Sequence, residues 1–369
     1  MSDNWYQIEN ADEIPSPALL VYPERIRENI RNMVELTGDS ARLRPHVKTH
    51  KMAEVIKLQV AAGIVKFKCA TIAELEMCAS AGGKDLLLAY QPVGPNVGRM
   101  VELCRKFPDV KFAAAVDRES VVRTLSEAFS EAGVTLGLMI DLDVGMHRTG
   151  IEPGPNAFEL YRLISVMPGV EARGLHAYDG HNHTPDLEQR TKEFNEYMVP
   201  VRKLRDDLEA AGLSVPCVVA SGTPTFPLHA AAGDVECSPG TTLFMDFGYG
   251  DKFPDVPCQH AAALMVRVVS KPGDDLLCMD LGYKAVAAEN PHPRVKIFDL
   301  PVSEFTNQSE EHLVARSERA GEYNVGDVLY GIPRHICPTV AHYAEAVVVE
   351  NGRAVGRWEV TARNRKISI

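Results

Sequence analysis

The chain has 369 residues, 45% of them hydrophobic and 24% charged, which suits a soluble globular protein of one large domain or two whose core needs no disulfide staples. A formal net charge of −11 argues against a nucleic-acid partner. No apolar run reaches the length of a membrane span, so no membrane partner is expected.

Cysteines at 69, 78, 104, 217, 237, 258, 278 and 337 form no Cys-x-x-Cys pair, and most lie in apolar stretches as reduced core residues. Residues 1–15 are polar and acidic and lack the pattern of a signal peptide, so a cytoplasmic location is expected. A strand over 16–22 enters through prolines and is followed by a helix over 23–36 with Ile26, Ile30, Met33 and Val34 apolar. A strand over 43–48 and a helix near 52–62 come next. Strand and helix then alternate: 66–70 and 71–81, 85–90 and 97–107, 111–116 and 118–132, 135–142 and 157–167, 170–178 and 186–211. A run at 216–220, a short helix after Pro224 and a run at 235–238 complete the series.

Such brief runs rich in Val, Leu and Ala indicate parallel strands joined by right-handed crossovers. About eight units in about 230 residues predict a closed (β/α)8 TIM-type barrel, with a doubly wound sheet as the alternative that periodicity leaves open. After 249 the texture changes. Strands are expected at 261–270, 276–280, 294–298, 311–316, 327–332, 343–350 and 353–362, the last two joined by the hairpin dipeptide Asn351-Gly352. The chain thus divides into a barrel over 16–249 and a C-terminal β domain over 250–369, on which residues 1–15 have room to pack.

Five segments carry chemistry. In Arg44-Pro45-His46-Val47-Lys48-Thr49-His50-Lys51, Lys48 ends a strand, where α/β folds open their clefts, and Thr49 can cap a helix beginning near His50. Each neighbouring cation disfavours protonation of the next amine, and a neutral amine is what a Schiff-base lysine requires. A basic strand end that binds an anion or meets solvent is the other reading.

The second segment is 141–150, where Gly145 and Gly150 permit a tight loop and Arg148 either pairs with nearby aspartates or faces the cleft. Third, His176, Tyr178, His181 and His183 gather proton-transfer groups at a strand end, with a metal or an inert polar loop as the alternatives. Fourth, in Ala220-Ser221-Gly222-Thr223-Pro224, Gly222 lets the backbone approach an anion, Thr223 can cap the next helix and Pro224 fits its first turn. Ser238-Pro239-Gly240-Thr241 supplies the following loop, at the late-barrel position where phosphates bind. No Gly-x-Gly-x-x-Gly or Walker sequence accompanies these turns, which argues against a nucleotide. Fifth, His335 and Cys337, on an extended chain, would point to one side and suit zinc or a similar divalent metal, or else be a buried cysteine beside a turn histidine.

In this order the motifs resemble those of the D-threonine aldolase and D-serine dehydratase family, which shares the alanine-racemase fold type of pyridoxal-phosphate enzymes. The resemblance runs from Ser16-Pro17-Ala18 to the last strand. It implies that Lys48 holds pyridoxal 5′-phosphate, that Arg148, in Gly-Met-x-Arg, keeps the phenolic oxygen ionised, and that Tyr178 lines the cofactor and substrate pocket, with His176 and His181 as lesser candidates. It assigns the phosphate to Ser221, Gly222, Thr223, Gly240 and Thr241, and a divalent metal (Mn, Zn or Mg) to His335 and Cys337.

The implied activity is metal-activated cleavage of D-3-hydroxy amino acids to glycine and an aldehyde, with His335 or a metal-bound water as the base. The alternative is dehydration of D-serine or 3-hydroxy-D-aspartate to a keto acid and ammonia. A racemase or a non-catalytic cofactor carrier fits less well. Family aldolases tend to pair the metal histidine with aspartate and dehydratases with cysteine, so Cys337 leans one way and His176-Ala177-Tyr178-Asp179-Gly180 the other. Ala341-His342 depart from the asparagine that often follows Pro-Thr-Val. The fold type also implies a homodimer in which the β domain of one subunit completes the other's site.

Overall fold

A computed structural model describes residues 4–368. In chain order it contains β1 (Ala18–Val21), α1 (Pro23–Thr37), α2 (Ala53–Ala61), β2 (Lys66–Cys69), α3 (Ile72–Ser80), β3 (Asp85–Leu88), α4 (Pro95–Lys106), β4 (Lys111–Val116), α5 (Glu119–Ala132), β5 (Leu136–Asp141), α6 (Pro155–Ile164), β6 (Val170–Ala177), α7 (Leu187–Ala210), β7 (Val218–Ala220), α8 (Phe226–Ala232) and β8 (Glu236–Cys237). Then follow α9 (Phe247–Gly250), β9 (Ala262–Gly273), β10 (Leu276–Met279), β11 (Val295–Ile297), β12 (Glu304–Gln308), β13 (Leu313–Arg316), β14 (Val328–Pro333), α10 (Ile336–His342), β15 (Glu345–Glu350) and β16 (Arg353–Glu359). No helix among the described residues is long and apolar enough to cross a membrane. The chain falls into two compact units.

One unit comprises residues 31–48, 53–240 and 364 onward. Its sheet runs β2-β3-β4-β5-β6-β7-β8, every pair parallel. Strands such as β3, β5 and β7 are almost wholly buried because helices cover the outside, which is why they read as near-continuous apolar runs, whereas Glu171 and Arg173 break that pattern in β6. Leu87, Ala113, Met139 and Val219 fill part of the interior. The predicted ring of eight is thus a curled sheet of seven strands. The expected strand over 43–48 is reduced to single parallel bridges, Leu43 to Cys237 on β8 and His46 to Lys68 on β2. Pro45 has no N–H to extend the ladder, and only its carbonyl takes part, accepting from Lys68 N at 3.0 Å.

Arg44 anchors this segment. It is 2% exposed and ion-paired to Asp85 and Glu236, each at 2.7 Å. At Gly174 (φ +126) a Cβ would lie 1.9 Å from the Cys217 carbonyl oxygen, so only glycine allows β6 to approach β7 this closely before His176 and Tyr178.

The other unit comprises residues 4–30, 49–52 and 241–363 among those described. Its sheet runs β12-β13-β10-β9-β1-β15-β16, with β14 added on β9 and β11 on β14. All pairs are antiparallel except β1 with β15. The run over 16–22, expected to open the barrel, is instead an inner strand of this sheet. Ala-Leu-Leu-Val is buried on both faces, a pattern that fits either place. Fully burying each Leu contributes roughly 1.5–3 kcal/mol, and here Leu20 joins Tyr6, Ile8, Met265, Tyr330 and Val347 in the core. Asn351 (φ +50) and Gly352 (φ +73) make the expected hairpin turn between β15 and β16. Strand β12 was not expected, because Glu-Phe-Thr-Asn-Gln is polar and mostly exposed.

Candidate active site

In the barrel unit Lys48 follows the extended segment directly, inside the single helical turn Val47–Thr49 rather than at a strand end. Val47 is fully buried, and the Lys48 amide donates to His46 Nδ1 at 3.4 Å. The Lys48 Nζ lies 5.7 Å from the centroid of the Tyr178 ring. Arg148 Cζ stands 5.0 Å from the same centroid. Arg148 therefore faces the tyrosine rather than the aspartates of its own loop: Asp143 takes the amides of Gly145 and His147 and the His147 ring. A third cation, Lys68, lies 5.0 Å from that ring centroid and was not anticipated.

At the end of β6, His176 is 2% exposed and pairs through Nδ1 with Asp141 at 2.7 Å. Burial holds its pKa below the usual imidazole range, Asp141 opposing and Lys68 and Arg148 reinforcing. Its Nε2 is buried with no protein partner, which leaves one polar atom for a ligand. His181 is half-buried against the Tyr197 ring, 5.2 Å between centroids, and His183 is exposed. Among the described residues no group of three or more His, Cys, Asp or Glu side chains is arranged to hold a metal, here or elsewhere.

The Ser221–Thr225 turn differs from expectation in detail. Helix α8 begins at Phe226 with Pro227 in its first turn, so Pro224 precedes the helix and Thr223 is not its cap. Ser221 adopts φ +87, and the Gly222 amide turns inward to donate to Asp179 Oδ1 at 2.6 Å. Asp179 is fully buried and also accepts from Tyr197 Oη and His229 Nε2, each at 2.7 Å. Burial alone would raise its pKa, but His229 and the hydroxyls of Tyr197 and Thr225 outweigh burial and hold it at about 2. A buried carboxylate thus fixes the back of the presumed anion loop. Nothing local in the sequence distinguishes Asp179 from a solvated loop residue.

In the second unit His50, expected to add to the cations around Lys48, is fully buried. Burial and Lys51 push it down to about 3, against the Met52 amide that donates to its Nδ1 at 3.1 Å. It is neutral, and α2 starts only at Ala53, so Thr49 is no cap. The Thr49 hydroxyl instead contacts Cys337 Sγ at 3.1 Å, and the Thr241 hydroxyl approaches the same sulfur at 3.6 Å.

His335 and Cys337 do not lie on an extended chain: His335 is the N-cap of α10 and Cys337 lies in its first turn. Asp246 secures that start, accepting the Ile336 amide at 3.0 Å, and its own pKa is raised by burial to about 6. His335 Nδ1 bonds Glu289 at 2.5 Å, beside a cavity of about 320 Å³ that Lys252 and Arg334 also line. Burial works against its protonation, yet Cys337 and Glu289 prevail and raise its pKa to about 9. With Nδ1 on Glu289 and a further hydrogen bond to Cys337, the His335 ring must give up a proton before it can serve as a metal donor. Imidazole and thiol are donor types that a divalent metal takes, but among the described residues no third such ligand is arranged with them.

The parallel barrel with its basic, tyrosine-centred mouth, together with the separate, mostly antiparallel sheet, defines an alanine-racemase-like protein. Residues 21–247 match the alanine racemase N-terminal domain family and residues 261–349 the putative serine dehydratase domain. The chain belongs to the first of these families. It is 29% identical over 357 residues to a D-threonine aldolase of Arthrobacter sp., covering 95% of this chain and 93% of the relative. It is 28% identical over 367 residues to a 3-hydroxy-D-aspartate aldolase of Paracoccus denitrificans (strain Pd 1222), covering 96% and 93%. The crystal structure of D-threonine aldolase from Filomicrobium marinum superposes with a TM-score of 0.90 at 27% identity, over 97% of this chain and 98% of that one.

Proposed function

We propose that this protein is a pyridoxal-phosphate lyase acting on D-3-hydroxy amino acids, releasing glycine and an aldehyde. The observation that carries the reading is the convergence of Lys48 and Arg148 on the Tyr178 ring, at 5.7 and 5.0 Å. Pyridoxal phosphate, when bound, supplies an electron sink that accepts the pair from the breaking Cα–Cβ bond. Lys48 would be the amine that holds the cofactor. Arg148 keeps an anionic oxygen in place, and Tyr178 forms a wall of the pocket. Ser221, Gly222, Thr223, Gly240 and Thr241 surround the phosphate, with Asp179 bracing the first loop through the Gly222 amide.

His335 and Cys337 would hold a divalent metal, which lowers the pKa of a bound hydroxyl. Glu289 orients the His335 ring.

Dehydration is the second reading. It is favoured by the thiol at Cys337 and by the serine dehydratase match over 261–349. Product analysis separates the two: with D-threonine and Mn²⁺ or Zn²⁺, acetaldehyde and glycine are expected. Appearance of 2-oxobutanoate and ammonia in their place would move the assignment to a dehydratase.

A cytoplasmic homodimer is part of the same proposal. Gel filtration is expected to give twice the 40.5 kDa chain mass. A fully active monomer would refute it.

A further inference from the structure

Lys68 lies on β2 and is 1% exposed. Its Nζ donates to Ser238 Oγ at 2.5 Å. Ser238 passes the bond on to the carbonyl oxygens of Ala220 at 2.9 Å and Ser221 at 3.1 Å. The Lys68 amine is thereby tied to both loops read as the phosphate cup, 221–223 and 238–240. It also stands 5.0 Å from the Tyr178 ring centroid, the point on which Lys48 and Arg148 converge. Among the described residues no carboxylate forms an ion pair with it. Asp141 and Asp179 act on it only at longer range, and each is engaged elsewhere, with His176 and with His229.

Three cations around one ring, one of them fully buried and unpaired, are costly unless an anion joins them. We propose that Lys68 is an anion-binding residue of the ligand pocket, its Nζ oriented by Ser238 to pair with a negatively charged oxygen of the cofactor. This rests on the pyridoxal-phosphate reading and adds a residue to it. In the unliganded protein burial, then Lys48 and Arg148 against Asp179 and Asp141, lower its pKa to about 7. An arriving anion offsets that desolvation. If Lys68 only props Ser238, an uncharged side chain of similar length that can still donate to the Ser238 hydroxyl serves equally well.

The test compares wild type, Lys68→Met and Lys68→Gln as apoproteins, titrated with pyridoxal 5′-phosphate and with pyridoxal and read by absorbance. Near-UV circular dichroism and Tm verify folding. Both variants are expected to bind pyridoxal 5′-phosphate roughly ten- to a hundred-fold more weakly, the worth of a charge-assisted hydrogen bond. If pyridoxal affinity is unchanged, the paired oxygen belongs to the phosphate; if it falls in parallel, it is the ring phenolate. Lys68→Gln keeps a donor for Ser238, so wild-type affinity in either folded variant overturns the proposal. Wild type that takes up no pyridoxal 5′-phosphate overturns instead the reading on which it rests.

Discussion

Lys48→Ala is expected to leave a folded protein that has lost the visible absorbance of bound pyridoxal phosphate and roughly 10³-fold or more in turnover. The structural cost is small because Lys48 is half-buried, and among the described residues it makes no ion pair whose loss would strand a carboxylate. A stability change within about 1 kcal/mol is expected, read from urea unfolding of the apoprotein. Activity would collapse because no other side chain substitutes for the amine that carries the cofactor. A Lys48→Ala protein that still colours and still turns over substrate would sink the assignment. Borohydride trapping followed by peptide mapping would then show which amine had taken the cofactor.

Asp179→Ala is expected to cost about 3–5 kcal/mol of stability, because each buried donor left without its acceptor costs about 1–3 kcal/mol. The side chain is fully buried and accepts from Gly222, Tyr197 and His229; alanine leaves the Tyr197 and His229 donors unmet and the Gly222 amide with only Thr225 Oγ1 at 3.1 Å. The anion loop loses its brace at the same time, so affinity for pyridoxal 5′-phosphate should fall together with the urea midpoint. Asp179→Asn keeps an acceptor for the Gly222 amide and should be the milder change.

The carboxyl also predicts a pH dependence. Its folded-state pKa of about 2 lies below the ordinary aspartate value of about 3.9, so its contribution is present above the unfolded pKa and is lost as pH falls through the folded one. A shift of this size corresponds to roughly 2–3 kcal/mol. Wild type should therefore lose stability between about pH 4 and pH 2, and Asp179→Asn should show a flatter acid limb. Parallel acid limbs for the two proteins would mean that the His229 pairing contributes nothing.

Much of the candidate site is legible in the sequence because its parts are local. Lys48, Arg148 and Tyr178 each stand in a short run with a recognisable spacing, and the helix and strand periods place those runs at the mouth of a barrel. His335 and Cys337 stand out for the same reason, although they lie at the start of a helix and not on an extended chain. A seven-residue helix that begins with Ile-Cys-Pro carries too little periodicity to be separated from an extended chain, and the Asp246 carboxylate that starts it lies 90 residues away in sequence.

What the sequence by itself determined is the alternation of strands and helices from 66 to 237, the change to a β-rich unit in the last third of the chain, and the motifs that mark the family. These follow from side-chain periods, turn residues and local charge. Tertiary structure decided which strands are neighbours, and with that everything depending on adjacency. It moved β1 out of the barrel, because a strand buried on both faces looks the same in either sheet. It buried Arg44 as the partner of Asp85 and Glu236. It silenced His50 by burial. It also brought Lys68 to Ser238 across 170 residues of chain, a contact that no periodicity encodes because it exists only once β2 and the loop after β8 close on the same segment.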